Sequence, residues 1–257
     1  MKLLLKIRFI GTAYCGFQVQ KNGVSVQSVL CNAAQALYCT PCDITGCSRT
    51  DSGVHANAFY ATLRPHDETN IPAIPVERVA RAMNVFLPKD IAVMDSMAVG
   101  DDFHPRYDAE YKEYLYKIWN RSERDPFLYK LAAHYPFKID DNRLKDMNKA
   151  AQYLVGRQDF RAYMAEGSSV LSTTRTVKYC NVERAGDLVT IRIAADGFLY
   201  NMVRIIAGTL LDVSRGKISP EAIPLITESK DRKKAGFTAP ACGLYLNRVV
   251  YKNIEFV

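Results

Sequence analysis

The order of apolar periodicities between residues 2 and 97 constrains this chain more than any other feature. Residues 2–9 alternate as a strand. Ser25 can cap a helix from residue 26 to about residue 38, with Val26, Val29, Leu30, Ala33 and Leu37 on one face. Two strand-like runs, residues 43–46 and 58–63, then flank a turn. A helix over 76–86 and a strand over 91–97 complete a β-α-β-β-α-β series, which is a ferredoxin-like order.

The remainder repeats that logic without repeating its sequence. Residues 101–107 mark the best boundary, dividing an N-terminal subdomain (1–102) from a C-terminal one (103–257). The second part reads as a strand over 110–119, a helix over 142–154, a polar loop over 164–174, and a hairpin over 177–195. The hairpin turns at Ala185-Gly186-Asp187. A helix over 198–213, a short helix over 220–229 and a strand over 244–251 follow. The expected fold class is therefore α+β: two ferredoxin-like α/β halves sharing an antiparallel sheet. A central catalytic cleft between the halves is the natural ligand site.

The turn between residues 46 and 58 holds the most informative side chains. Cys47-Ser48-Arg49-Thr50-Asp51-Ser52-Gly53-Val54-His55-Ala56 places one carboxylate two residues after an arginine and two before a glycine. A turn between strands lets a rigid sheet present a reactive group. Arg49 is near enough to stabilise an ionised carboxylate. An Asx-type turn with a surface ion pair is the competing reading of the same residues. Asp51-Ser52-Gly53 also fits the aspartic-protease tripeptide, but those enzymes need two such carboxylates sharing a proton. No second copy exists in the chain, so only a homodimeric hydrolase would remain.

Composition narrows the function classes. Of 257 residues, 48% are hydrophobic and 24% charged, an ordinary globular balance with no apolar run of membrane-spanning length. Lys6 and Arg8 interrupt the apolar start at once, which argues against a signal peptide and for a cytoplasmic protein. Seven cysteines read as reduced thiols. Cys39 and Cys42 have zinc-like spacing, but no second such pair follows, so buried small hydrophobes are a simpler reading than a metal site.

A net charge of +7 permits a polyanionic partner. The one dense basic run, Lys230-Asp231-Arg232-Lys233-Lys234, reads as a solvated face. More suggestive are the aromatic–basic segments Phe103-His104-Pro105-Arg106-Tyr107 and Tyr111-Lys112-Glu113-Tyr114-Leu115-Tyr116-Lys117, since a tyrosine face can stack bases. In the helix over 198–213, the stripe Gly197, Asn201, Arg204, Gly208 and Asp212 is the only polar or small face. An arginine there could meet a carboxylate or a phosphate.

Together these segments resemble the tRNA pseudouridine synthase A family. Gly11-Thr12, Tyr14, Gly16-Phe17-Gln18 and Gln20 are similar to its N-terminal loop, with Phe17 where tryptophan is common. Val26-Gln27 and Leu30 resemble its first helix. Residues 48–56 resemble its catalytic signature, with Ser48 replacing the usual glycine. Residues 103–107, Tyr114 with Tyr116, residues 197–204 and Gly243-Leu244-Tyr245-Leu246 match further blocks. The resemblance implies an isomerase converting uridine to pseudouridine at tRNA positions thirty-eight to forty. It also implies a homodimer with tRNA across both subunits, and no cofactor. It makes Asp51 the nucleophile, Arg204 its partner, Tyr114 the platform for the uracil and Arg49 a catalytic-loop residue supporting base extrusion. Phe103, His104, Pro105, Arg106, Tyr107 and Leu171, Ser172, Thr173, Thr174, Arg175 become RNA-contacting residues. A tRNA-binding module without activity stays open as the alternative.

Overall fold

A computed structural model describes all residues except Asn22, Asn70, Ser168, Ser169, Asn253, Glu255 and Val257. The described residues form ten strands and five α-helices, in two compact units. One comprises Met1–Glu110 with Leu246–Val257, the other Tyr111–Tyr245.

The first unit contains β1 (Leu3–Phe9), α1 (Val26–Tyr38), β2 (Cys42–Gly46), β3 (His55–Pro65), α2 (Val76–Met83), β4 (Ile91–Ala98) and most of β10 (Leu244–Tyr251). Its strands run in the order β4-β1-β3-β10, with β2 also on β3. β1 lies antiparallel to both β3, in register Leu3↔Leu63, and β4, in register Leu3↔Ala98. Helix α1 begins where the capping residue dictates: Ser25 Oγ accepts from Ser28 N, and Ser28 Oγ reciprocates to the Ser25 amide. Its buried face is Val26, Leu30, Ala33, Ala34 and Tyr38. That face is turned slightly from the expected one, leaving Val29 and Leu37 half-exposed. Helix α2 stops at Met83, three residues short of expectation. The Asn84 side chain makes two 2.8 Å bonds to the Val93 backbone, so the chain turns toward β4 and leaves Val85 and Phe86 exposed.

The second unit contains β5 (Ala109–Trp119, from Tyr111), β6 (Ala133–His134), α3 (Asp141–Gln152), β7 (Gly156–Asp159), β8 (Thr174–Ala185), β9 (Leu188–Ala195), α4 (Met202–Ser214) and α5 (Ala222–Ser229). Its sheet runs β5-β9-β8-β7. The short β6 pairs with β5 in parallel, Ile118↔Ala133, so the strands are not all antiparallel as expected. Helix α4 is buried almost all round, as a helix apolar on every side must be. It begins at Met202, four residues later than its periodicity suggests, because Asn201 adopts a left-handed φ of 60°.

Candidate active site

The Asp51 turn belongs to the first unit and is held by backbone contacts that only small residues permit. Cys47 N donates to Tyr60 O at 2.8 Å and Val54 N to Asp51 O at 3.2 Å, with Gly53 at φ +79°. Three glycines let other chain segments press against it. A Cβ on Gly16 would lie 2.4 Å from Thr50 O, and one on Gly11 1.9 Å from Val54 O. A Cβ on Gly46 would collide with the Phe17 ring, which stacks on Phe59 at 4.2 Å. Phe17 is thus a core contact beneath the turn.

Side-chain bonds complete the lock. Ser52 Oγ donates to Tyr14 O, and Gly11 N to the buried His55 Nδ1. The Tyr14 phenol is raised by burial and by its hydrogen bond to Asp90, so it stays a neutral donor. Asp51 is half-buried and Arg49 exposed. Between them, Thr50 buries its hydroxyl with no hydrogen-bond partner among the described residues. The result is a carboxylate on a rigid, glycine-backed turn, which is the arrangement that a positioned nucleophile requires.

The segment Phe103–Tyr107 is carried by the same unit. Phe103 packs edge-on against Tyr251, whose hydroxyl donates to Pro105 O at 2.7 Å, and Pro105 is buried. These two residues anchor the segment. Arg106 and Tyr107 are exposed, and the Tyr107 ring lies 4.3 Å from that of His104. A groove of about 140 Å³ separates Phe103–Pro105 from Lys2, Thr45, Thr62 and Arg64.

In the second unit the candidates converge on residues 197–204. Tyr114 is only 6% exposed and meets Phe198 edge-on at 5.0 Å. Gly197 leaves room for Arg175, whose Nε lies 3.3 Å from the place of a Cβ there. Arg175 Nη1 also donates to Ser172 O and Thr174 O, which folds Ser172–Arg175 on itself. Thr173 is tied to Asp159 at 2.6 Å, whereas Leu171 is fully exposed. Of the polar loop expected over 164–174, Ser168 and Ser169 lie outside the described residues. Arg204 is fixed by two bonds of 2.8 Å, from Nε to Ala239 O and from Nη1 to Asn201 Oδ1. Gly208 does not border open space: a Cβ there would sit 1.8 Å from Phe237 O. Sequence reading passed over Ala239, which precedes Pro240 in a Gly- and Pro-containing stretch of the kind that marks built loops.

The opposite face of β5 carries a second polar group. Glu113 is 5% exposed, accepts from Tyr179 Oη, and pairs with Arg192 at 3.2 Å. This cluster is structural: every charge in it has a partner.

Comparison with known proteins accounts for most of the chain. A family model described as tRNA pseudouridine synthase matches residues 6–108 and 150–252, which include the Asp51 turn, residues 103–107, residues 171–175 and Arg204. A tRNA pseudouridine synthase A of Thermoanaerobacter sp. (strain X514) is 43% identical over 249 residues, covering 97% of this chain and 99% of the relative. That of Acetivibrio thermocellus is 43% identical over 247 residues, 96% of this chain and 98% of the relative. A tRNA pseudouridine synthase A 2 of Clostridium tetani is 40% identical, covering 96% and 97%. With matches of this extent and depth, the chain belongs to the tRNA pseudouridine synthase family of isomerases.

Proposed function

We propose that the protein isomerises uridine to pseudouridine in the anticodon stem-loop of tRNA, at positions thirty-eight to forty, with Asp51 as nucleophile. The observation that supports this reading most is the Asp51 turn itself: one carboxylate, half-buried, on a loop against which Gly11 and Gly16 bring other backbone and Gly46 admits the Phe17 ring.

The chemistry asks for these residue types. The glycosidic bond breaks, the uracil turns, and a carbon–carbon bond forms to the same sugar. A carboxylate can hold the intermediate covalently. An arginine countercharge would complete such a site, since its planar fork suits a carboxylate. Arg204 takes this role, since it is the lone cation in a buried apolar helix. The target base must leave the stack to be reached, with Tyr114 as its aromatic support and Arg49 assisting extrusion. Arg106, Tyr107 and the 171–175 segment supply RNA contacts, and two copies of the chain share one tRNA. The cytoplasm, where tRNA is modified, is the proposed location.

The test is to map pseudouridine on a bulk tRNA pool before and after exposure to the purified protein. New pseudouridine is expected at positions thirty-eight to forty only. Asp51→Asn, nearly isosteric but far less nucleophilic, should bind tRNA and give no product. Turnover by Asp51→Asn, or product confined to other positions, would refute the assignment.

A further inference from the structure

The basic run 230–234 reads as a solvated face, yet its middle arginine turns inward. Asp231 caps a short turn by accepting from Lys233 N at 2.9 Å. Arg232, half-buried, bonds back onto the segment that follows it. Its Nη1 donates to Gly236 O at 2.8 Å and to Ala235 O at 3.4 Å, and its Nη2 donates to Thr238 Oγ1 at 3.1 Å. One rigid guanidinium fork thereby gathers three residues of a five-residue curve, a task that the single point charge of lysine performs poorly.

That curve is pressed onto α4. A Cβ on Gly236 would lie 2.5 Å from Thr209 Cα, and one on Gly208 lies within 1.8 Å of Phe237 O, so backbone meets backbone. Gly236 N donates to Thr209 Oγ1 at 2.9 Å, and that hydroxyl donates to Ile205 O at 2.8 Å. The curve ends at Ala239, which bonds Arg204 twice: Ala239 N donates to Arg204 O at 3.1 Å, and Arg204 Nε donates to Ala239 O at 2.8 Å. Beyond it, Pro240 O accepts from the buried Tyr116 hydroxyl at 2.8 Å. The Ala239 carbonyl and the Asn201 side chain together set the plane of the Arg204 guanidinium.

We infer that Arg232 is a positioning residue for the isomerisation. Through the curve 235–239 and the Ala239 carbonyl, it fixes the orientation of Arg204. Thr209 is its counterpart on the helix side. The inference rests on the reading of Arg204 as countercharge of the nucleophile, and it adds a part of the chain that the reading does not use.

The experiment is a cycle of Arg232→Met, Arg204→Met and the double variant, with Arg232→Lys and Thr209→Val alongside. Each is assayed by single-turnover rate at saturating tRNA and by tRNA affinity, with folding checked by circular dichroism. A misplacement of about 1 Å can cost about 100-fold in rate. Arg232→Met should therefore be about 10- to 100-fold slower with tRNA affinity within about twofold of wild type. Arg232→Lys should recover part of the rate. The double variant should be no slower than Arg204→Met alone, because both act through one group. If Arg232→Met fails to fold, Thr209→Val carries the same comparison. A wild-type rate for Arg204→Met would sink the role of Arg204 and this inference with it. A slow Arg204→Met overturns the positioning role alone if Arg232→Met is as fast as wild type, loses tRNA affinity in step with its rate, or multiplies its loss into the double variant.

Discussion

Gly16→Ala offers a measure of how far the Asp51 turn depends on backbone contact. Gly16 has φ +104°, and a Cβ there would stand 2.4 Å from Thr50 O, about 1 Å inside ordinary contact. Two costs follow. The positive φ costs any L-residue about 1–3 kcal/mol. The clash adds more, because the atom struck is backbone and cannot rotate away. Relief means moving Thr50, and with it Asp51, while stretching the 3.3 Å bond from Phe17 N to Thr50 O. That bond is worth about 0.5–1.5 kcal/mol.

Gly156→Ala is the matched control. Gly156 has φ +106°, nearly the same, but nothing lies within 4 Å of its missing Cβ. It should lose the strain energy alone and keep full activity. Gly16→Ala should lose about 1–2 kcal/mol more, and its single-turnover rate should fall about 100-fold from the 1 Å displacement. Urea unfolding followed by circular dichroism and single-turnover pseudouridine formation measure the two effects. Equal stabilities, or a Gly16→Ala enzyme at the wild-type rate, would refute the claim that this contact places Asp51.

Three further outcomes are expected. Tyr114→Phe should react faster than Tyr114→Ala in single turnover, since a lost aromatic–base stack costs about 1–3 kcal/mol; equal damage would give the hydroxyl a chemical role. Stability should hold up to about pH 9 and then fall. Burial raises the Cys42 thiol to about 11, and the Cys180 thiol and the Tyr38, Tyr163 and Tyr245 phenols to about 12, from 9.0 and 10.0. The unfolded chain therefore releases those protons first as pH rises, and urea midpoints at about pH 8 and about pH 10.5 should differ accordingly. Sedimentation should find a homodimer whose tRNA affinity falls with added salt and exceeds its affinity for an isolated anticodon stem-loop. A monomer that binds both RNAs equally would contradict the shared-tRNA reading.

Much of the fold was legible because local chemistry and tertiary packing agree. Ser25 as cap and the apolar spacing behind it place α1 at Val26–Tyr38, and the last strand falls on Leu244–Tyr251 as its alternation suggests. The departures have local causes that periodicity does not contain. Helix α4 starts late because Asn201 takes a left-handed φ, and an asparagine gives no such warning as a glycine would. Helix α2 stops early because Asn84 prefers two bonds to Val93 over another helical turn. The two-residue β6 is too short to have a period at all.

The candidate site divides the same way. Asp51 stood out in the sequence less by its local chemistry, which an Asx-type turn with a surface ion pair also explains, than by the ordered blocks around it that resemble one family. Gly16 and Gly208 were visible in the sequence, one in the loop that resembles the family's and the other in the polar or small stripe of its helix, but what they press against was not. Gly16 and Gly208 matter through absent methyl groups pressed against distant carbonyls. Arg232 sits in a run of charges whose neighbours Lys233 and Lys234 are exposed, and composition cannot separate it from them. Only its fork geometry, closing on Gly236 O and Thr238 Oγ1, distinguishes it. Candidate reactive groups are thus readable as chemistry, whereas the contacts that would aim them are readable only in the fold. That is why the substitutions that discriminate best here are glycines and an inward arginine, in addition to the carboxylate itself.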